Sequence, residues 1–178
     1  MRLRYIDILG LPAHIMADTQ KPELVLLMGL PAAGKSTIGN MEFGESHRFI
    51  DCDSIKATHP EYDPKNPQAL HAWSQNECEK QMMALFENPE DAVYDSTGTN
   101  SERMVRYMAL AEAAGMTTKL VFVVVSLETS LSRNSRRERV VPEEVIRMKA
   151  DDIKTAFNIC EEKAQTVQVI ENEWEMNL

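Results

Sequence analysis

Residues 24–37 read Leu24-Val25-Leu26-Leu27-Met28-Gly29-Leu30-Pro31-Ala32-Ala33-Gly34-Lys35-Ser36-Thr37, an apolar run that passes straight into a glycine-framed turn. The run lacks polar alternation, as expected of a strand covered on both faces. Gly29 to Ser36 fits the pattern G-x-x-x-x-G-K-[ST]. Its glycines let the backbone curl so that successive N–H groups point inward. With the N-terminus of a helix expected from about Lys35, they form a nest for anions. Gly29, Ala32, Ala33, Gly34, Lys35, Ser36 and Thr37 are thus the residues expected to wrap the phosphates of a nucleotide such as ATP. Lys35 can reach the β- and γ-phosphates, and the Ser36 hydroxyl can ligate Mg²⁺.

Working outward, the chain alternates between strand and helix signals. Arg48–Asp51 reads as a second strand, Ala92–Asp95 as a third, and Val167–Ile170 as a last one. Leu120–Val125 is β-branched and apolar throughout and reads as a central parallel strand. Residues 52–66, with two prolines, read as a loop with room for one helical turn. Helical spacing returns over 67–86, with Leu70, Trp73, Met82, Leu85 and Phe86. Asn100 or Ser101 caps a helix with the stripe Met104, Tyr107, Met108 and Ala111, and Gly115 ends it. A helix from about Leu127, an arginine-rich segment and a helix with Pro142 at its first position follow. That last helix buries Ile146, Ile153 and Phe157. The pattern predicts an α/β fold: a parallel five-stranded sheet, right-handed crossovers, helices on both faces and an arginine-rich lid. Residues 23–178 form this domain. Residues 1–22 read as an appendage, with a short strand at Tyr5–Leu9 closed by Gly10 and Pro12.

Composition narrows the function. The 178 residues are 43% hydrophobic and 26% charged, with a formal charge of −9. Such a charge argues against a broad nucleic-acid-coating surface, while leaving room for a local basic groove. Cys52, Cys78 and Cys160 have no metal or redox spacing and read as reduced thiols in a cytosolic setting. No segment approaches the ~18 continuous apolar residues of a membrane span. The four histidines, His14, His47, His59 and His71, have no partner at metal spacing, and the eleven methionines read as core filling.

Acidic residues follow the second and third strands, where ligands of open α/β sheets bind. If the extended backbone continues past Ile50, Asp51 and Asp53 face one side. One of them could support Mg²⁺ while the other accepts a substrate proton. A solvated loop with Asp53 as a helix cap is the alternative. Asp95 can reach the outer sphere of the metal or the acceptor, and Thr97 a substrate phosphate or hydroxyl. Turn chemistry is the alternative for both. The strand at 120–125 ends in Val125-Ser126, without the Asp of a switch or motor NTPase, which points to a small kinase. Arg133, Arg136 and Arg137 share a face at helical spacing, as expected of a lid that clamps a triphosphate.

Together these residues resemble the kinase domain of bacteriophage-type polynucleotide 5′-hydroxyl kinases over about residues 23–155. Gly29–Thr37 matches that family's phosphate loop. The resemblance implies that Asp53 is the general base and that Lys56, where the family usually has Arg, holds the acceptor's phosphate. The family's D-x-T…N-x-x-R is matched by Asp95, Thr97, Asn100 and Arg103. Its R-N-x-x-R…V-P lid is matched by Arg133, Asn134, Arg137, Val141 and Pro142, with Arg137 on the transferring phosphoryl. Asp51, Asp53, Lys56, His59, Pro60, Tyr62 and Asp63 are also similar to the corresponding stretch of zeta toxin kinases, which phosphorylate a nucleotide-activated amino sugar. Phage kinases of hydroxymethylated DNA pyrimidines are a third resemblance. The implied acceptor is a nucleic-acid hydroxyl, either a 5′ end or a hydroxymethyl group. The alternatives are a nucleotide-sugar or other small molecule and, on the residues alone, a non-catalytic nucleotide-binding module.

Overall fold

The computed structural model describes residues 21–63 and 66–173. The strand expected at Tyr5–Leu9 lies outside the described residues. The central strand β1 (Glu23–Met28) carries the apolar run, and Leu24 to Met28 are all fully buried. It pairs in parallel with β3 (Ala92–Asp95) on one side and β4 (Thr117–Val124) on the other. With β2 (Arg48–Asp51) and β5 (Thr166–Glu171) the sheet order is β2-β3-β1-β4-β5. The expected five-stranded parallel sheet is therefore present, with β1 at its centre and β4 as an interior parallel strand between β1 and β5. Pairing rather than hydrophobicity sets the limits of β4, whose first residues Thr117, Thr118 and Lys119 are polar but are laddered to Glu23, Leu24 and Val25.

Helices cover both faces. The helix α1 (Lys35–Phe43) packs on β1 and β3. The segment after β2, expected as a loop with room for one helical turn, opens with the helix α2 (Cys52–Ala57), packed on α3 (His71–Glu87). A 3-10 turn, Pro67–Leu70, precedes α3. The face opposite α1 carries α3 together with α4 (Ser101–Ala113) and α6 (Glu143–Glu161), and α4 packs on α3, α6 and β4. The Asn100 side chain caps α4 by accepting from Arg103 N–H at 2.9 Å. Its expected stripe of Met104, Tyr107, Met108 and Ala111 is buried. Gly115, at φ 83, takes the left-handed turn that follows. Pro142 stands just before α6 rather than inside it, because its extended ψ of 137 precedes the first helical residue. Phe157 stays half-buried, stacked on Phe122 at 4.6 Å. Among the described residues no helix is long and apolar enough to cross a membrane.

The connection after β1 runs outward over β3 to β2, whereas the one after β3 runs back over β1 to β4. The two crossovers diverge between β1 and β3, so a crevice opens above their carboxyl ends.

Gly39 faces the sheet from α1. A Cβ there would lie 2.8 Å from Leu27 Cδ1 and 3.3 Å from Phe49 Cε1. Gly39→Ala gains about 1 kcal/mol of helix propensity but overpacks a face with no slack, at about 1–3 kcal/mol. The expected result is a lower midpoint in thermal or urea unfolding. A raised midpoint would mean that α1 has room to move off β1.

Candidate active site

The phosphate loop sits at the end of β1, and its shape is set by residues far away in sequence. Ala32 (φ 58) and Gly34 (φ 92) both take left-handed backbone, which turns successive amides into the curl. At Gly29 a Cβ would lie 2.6 Å from the Val123 carbonyl oxygen, so only glycine lets the loop leave β1 beside β4. Gly29 N–H donates to the Thr97 carbonyl at 3.2 Å. Two side chains hold the outer carbonyls: the Ser130 hydroxyl donates to Pro31 at 2.7 Å, and Asn172 Nδ2 to Ala33 at 2.8 Å. Ser130 lies on α5 (Leu127–Ser135), and Asn172 directly follows β5. Ala33 is buried, while Ser36 and Thr37 are exposed in the first turn of α1.

The register of β1 on β3 then assembles the acids and bases. Leu27 pairs with Asp95, which brings the Asp95 carboxylate under the start of α1. The Ser36 hydroxyl donates to Asp95 Oδ2 at 2.6 Å. Burial pushes the Asp95 carboxyl up, against the pull of Lys35 and Ser36. Lys35 Nζ donates to the Leu30 carbonyl at 3.0 Å. Burial pushes the Lys35 ammonium down, Asp95 opposes this, and Arg137 and Lys149 add to it.

Asp51 and Asp53 part company here. The strand ends at Asp51, and its carboxylate caps α2. It accepts from Asp53 N–H at 2.9 Å, Ser54 N–H at 3.0 Å and the Ser54 hydroxyl at 2.6 Å. The expectation that the two acids share one side of an extended segment is corrected, because helical geometry begins at Cys52. The cap is Asp51 and not Asp53. Asp53 projects from the first turn, 60% exposed, with Lys56 Nζ at 3.3 Å and Arg139 Nη1 at 3.1 Å. Burial opposes its charge, but Arg139 and Lys56 outweigh that and hold the carboxyl below the usual carboxylate range.

The expected arginine face is also corrected. The helix α5 stops at Ser135, with Arg136 as its cap, so Arg133 and Arg137 do not share a helical face. Arg133 sits beside Glu173, on which its charge acts, and does not line the cleft. Residues 136–141 form a loop pinned by buried Asn134, which donates to the Val141 carbonyl at 2.8 Å and accepts from Val141 N–H at 3.0 Å. This loop delivers Arg137 and Arg139 to a cleft of about 560 Å³ over β1 and β3. Lys35, Ser36, Asp53, Lys56, Asp95 and Thr97 line the same cleft. Arg103 lines its far wall, bonded to Gln75 of α3 and to the Tyr94 hydroxyl.

Some residues of the cleft escape sequence reading. Arg139 was visible only as one of a cluster. Lys149 of α6 lies at the spacing of the buried Ile146 and Ile153, and a lysine on an apolar stripe is a readable signal. Ser130 and Asn172 leave no local signal. Cys52 and Cys78, distant in sequence, bring their thiols into hydrogen-bonding contact across α2 and α3. That contact pushes the Cys52 thiol down.

Asp51→Ala removes the cap of α2 and is expected to lower stability by about 1 kcal/mol. Unfolding followed with and without Mg²⁺ and a nucleotide should show the same loss in both. A loss confined to the Mg²⁺-nucleotide sample would return Asp51 to the metal.

No curated protein matches the sequence. Among solved structures, a protein of the PezAT chromosomal toxin–antitoxin system of Streptococcus pneumoniae superposes with a TM-score of 0.72 at 19% identity, covering 86% of this chain and 69% of that one. A gluconokinase from Sinorhizobium meliloti gives 0.55 at 14%, over 88% and 86%. A chain of the Pnkp1/Rnl/Hen1 RNA repair complex gives 0.59 at 14%, over 80% of this chain but only 47% of its own length. At these identities the likeness is one of fold. A family model described as an AAA domain matches residues 24–158, a span that runs from β1 through the pinned arginine loop into α6. The chain thus belongs to the AAA domain family and has the fold of a P-loop kinase.

Proposed function

We propose that the protein is an ATP-dependent kinase that transfers the γ-phosphoryl group to a hydroxyl. One observation carries this reading: a phosphate loop with its lysine, a hydroxyl–carboxylate pair, and an ionised Asp53 with arginine beside it all face one cleft. Lys35 and the loop amides hold the β- and γ-phosphates. Ser36 and Asp95 are hard oxygen donors 2.6 Å apart, a set that would suit Mg²⁺. When bound there, the ion neutralises phosphate charge. Asp51 lines the same cleft, but its carboxylate is engaged by the cap of α2, so this reading leaves the metal to Ser36 and Asp95.

In the transfer, an acceptor oxygen bonds to the γ-phosphorus, and the bond to the β,γ-bridging oxygen breaks. That electron pair stays on ADP, and the acceptor proton passes to Asp53. A loose transition state asks little basicity of the acceptor of the proton, so a carboxyl held below its usual range still serves. Its sign is favourable: a lowered value keeps Asp53 ionised until the pH falls beneath the ordinary carboxylate range of about 4. Arg137 covers the moving phosphoryl from the loop side. Lys56, Thr97 and Arg103 lie toward the acceptor.

The acceptor we favour is a nucleic-acid hydroxyl, either a 5′ end or a hydroxymethyl group on a pyrimidine. Lys56 and Arg103 on the acceptor wall suit the phosphate of such a chain. The second reading, a nucleotide-sugar or similar small molecule, is favoured by the cleft's size, which falls in the range of small-ligand sites, and by the charge of −9.

Transfer from γ-labelled ATP to 5′-hydroxyl DNA, 5′-hydroxyl RNA, hydroxymethyluracil duplex and a nucleotide-sugar panel tests both readings. Lys35→Ala is expected to abolish transfer. Asp53→Ala is expected to slow it by about 10²–10⁴-fold. Near-normal transfer in either variant would overturn the assignment. Asp53 is also expected to give no acid limb between pH 5 and 8. An acid limb in that window that disappears in Asp53→Asn would contradict its low carboxyl value.

A further inference from the structure

Lys149 has a position that the assignments above leave unused. It lies on α6 at the spacing of Ile146 and Ile153, where an apolar side chain would pack without penalty, yet it places an ammonium there, half-buried. Burying a charge is unfavourable unless it is compensated. Among the described residues no carboxylate lies within 4.0 Å of its nitrogen. Asp152, one turn along the same helix, acts on it only through space. Its hydrogen-bond partners are two neutral hydroxyls, Thr97 Oγ1 at 3.1 Å and Thr99 Oγ1 at 3.4 Å. Those threonines flank Gly98 in the turn after β3, and the Thr97 carbonyl receives the Gly29 amide that opens the phosphate loop. Lys149 lines the cleft, and its charge is felt at Lys35. The ammonium is thus held by neutral hydroxyls in the cleft that Lys35 also lines.

Resting on the kinase reading above, we propose that Lys149 is a further catalytic cation that contacts an equatorial oxygen of the transferring phosphoryl group. It approaches from the α6 side, as Lys35 does from the loop and Arg137 from the 136–141 segment. Charge on those oxygens matters most midway through transfer, so this contact favours the transition state over bound ATP. Tethering to Thr97 and Thr99 pre-positions the ammonium, and no rearrangement of α6 is needed.

The test needs no acceptor. Binding of a non-hydrolysable ATP analogue with Mg²⁺ reports the ground state, and binding of Mg²⁺-ADP with aluminium fluoride reports the transferring group. In Lys149→Met, affinity for the fluoroaluminate complex is expected to fall by about 10–100-fold, with analogue affinity within threefold. Lys149→Gln keeps a donor for the two threonines but removes the charge, and is expected to lose as much. A drop of equal size for both ligands would mean that Lys149 only supports the loop, which overturns the proposal. So would retained fluoroaluminate binding in Lys149→Gln. If the unaltered protein binds neither ligand, the kinase reading itself fails, and the proposal with it.

Discussion

The parallel pairing of β1 with β3 is the constraint on which the cleft depends. It sets Leu27 opposite Asp95, and two residues further on the Gly29 amide meets the Thr97 carbonyl. From this register follow the nearness of Asp95 to Ser36, the placing of the Thr97–Thr99 turn beside the phosphate loop, and the crevice between diverging crossovers. A one-residue slip would turn Asp95 to the other face of the sheet and separate it from Ser36.

Charge in the cleft is arranged in opposition to the exterior. The whole protein is acidic, yet Lys35, Lys56, Arg103, Arg137, Arg139 and Lys149 converge on one space with Asp53 and Asp95. The cations have local partners: Leu30 for Lys35, Asp53 for both Lys56 and Arg139, Gln75 for Arg103, and two threonines for Lys149. Desolvation lowers both Lys35 and Lys149. The cleft thus gathers positive charge inside a protein that is acidic overall.

Much of the fold was legible in local patterns. The strand at 24–28, the helix stripe of Met104, Tyr107, Met108 and Ala111, and the cap at Asn100 depend on neighbours along the chain, and the structure has them in place. The errors arose where a local rule had a rival. Residues 52–57 look polar and loop-like, but Asp51 can satisfy two amides and a hydroxyl at once, and that tips the segment into a helix. Arg133, Arg136 and Arg137 have helical spacing, but Asn134 bonds to Val141 and turns the chain out of α5 instead.

The motif Gly29–Thr37, read alone, was enough to specify an anion nest at the end of a buried strand, since glycine stereochemistry and the lysine act within a few residues. The strand signals at 48–51 and 92–95 were enough to locate acids at the strand ends. Which acid does what depended on the folded chain. Asp51 and Asp53 are chemically alike, and only the onset of α2 separates a cap from an exposed carboxylate beside Arg139. Lys149 comes to Thr97 across more than fifty residues, and Asn172 to Ala33 across more than one hundred and thirty. Such contacts follow from strand order and helix packing, which no local window of sequence contains.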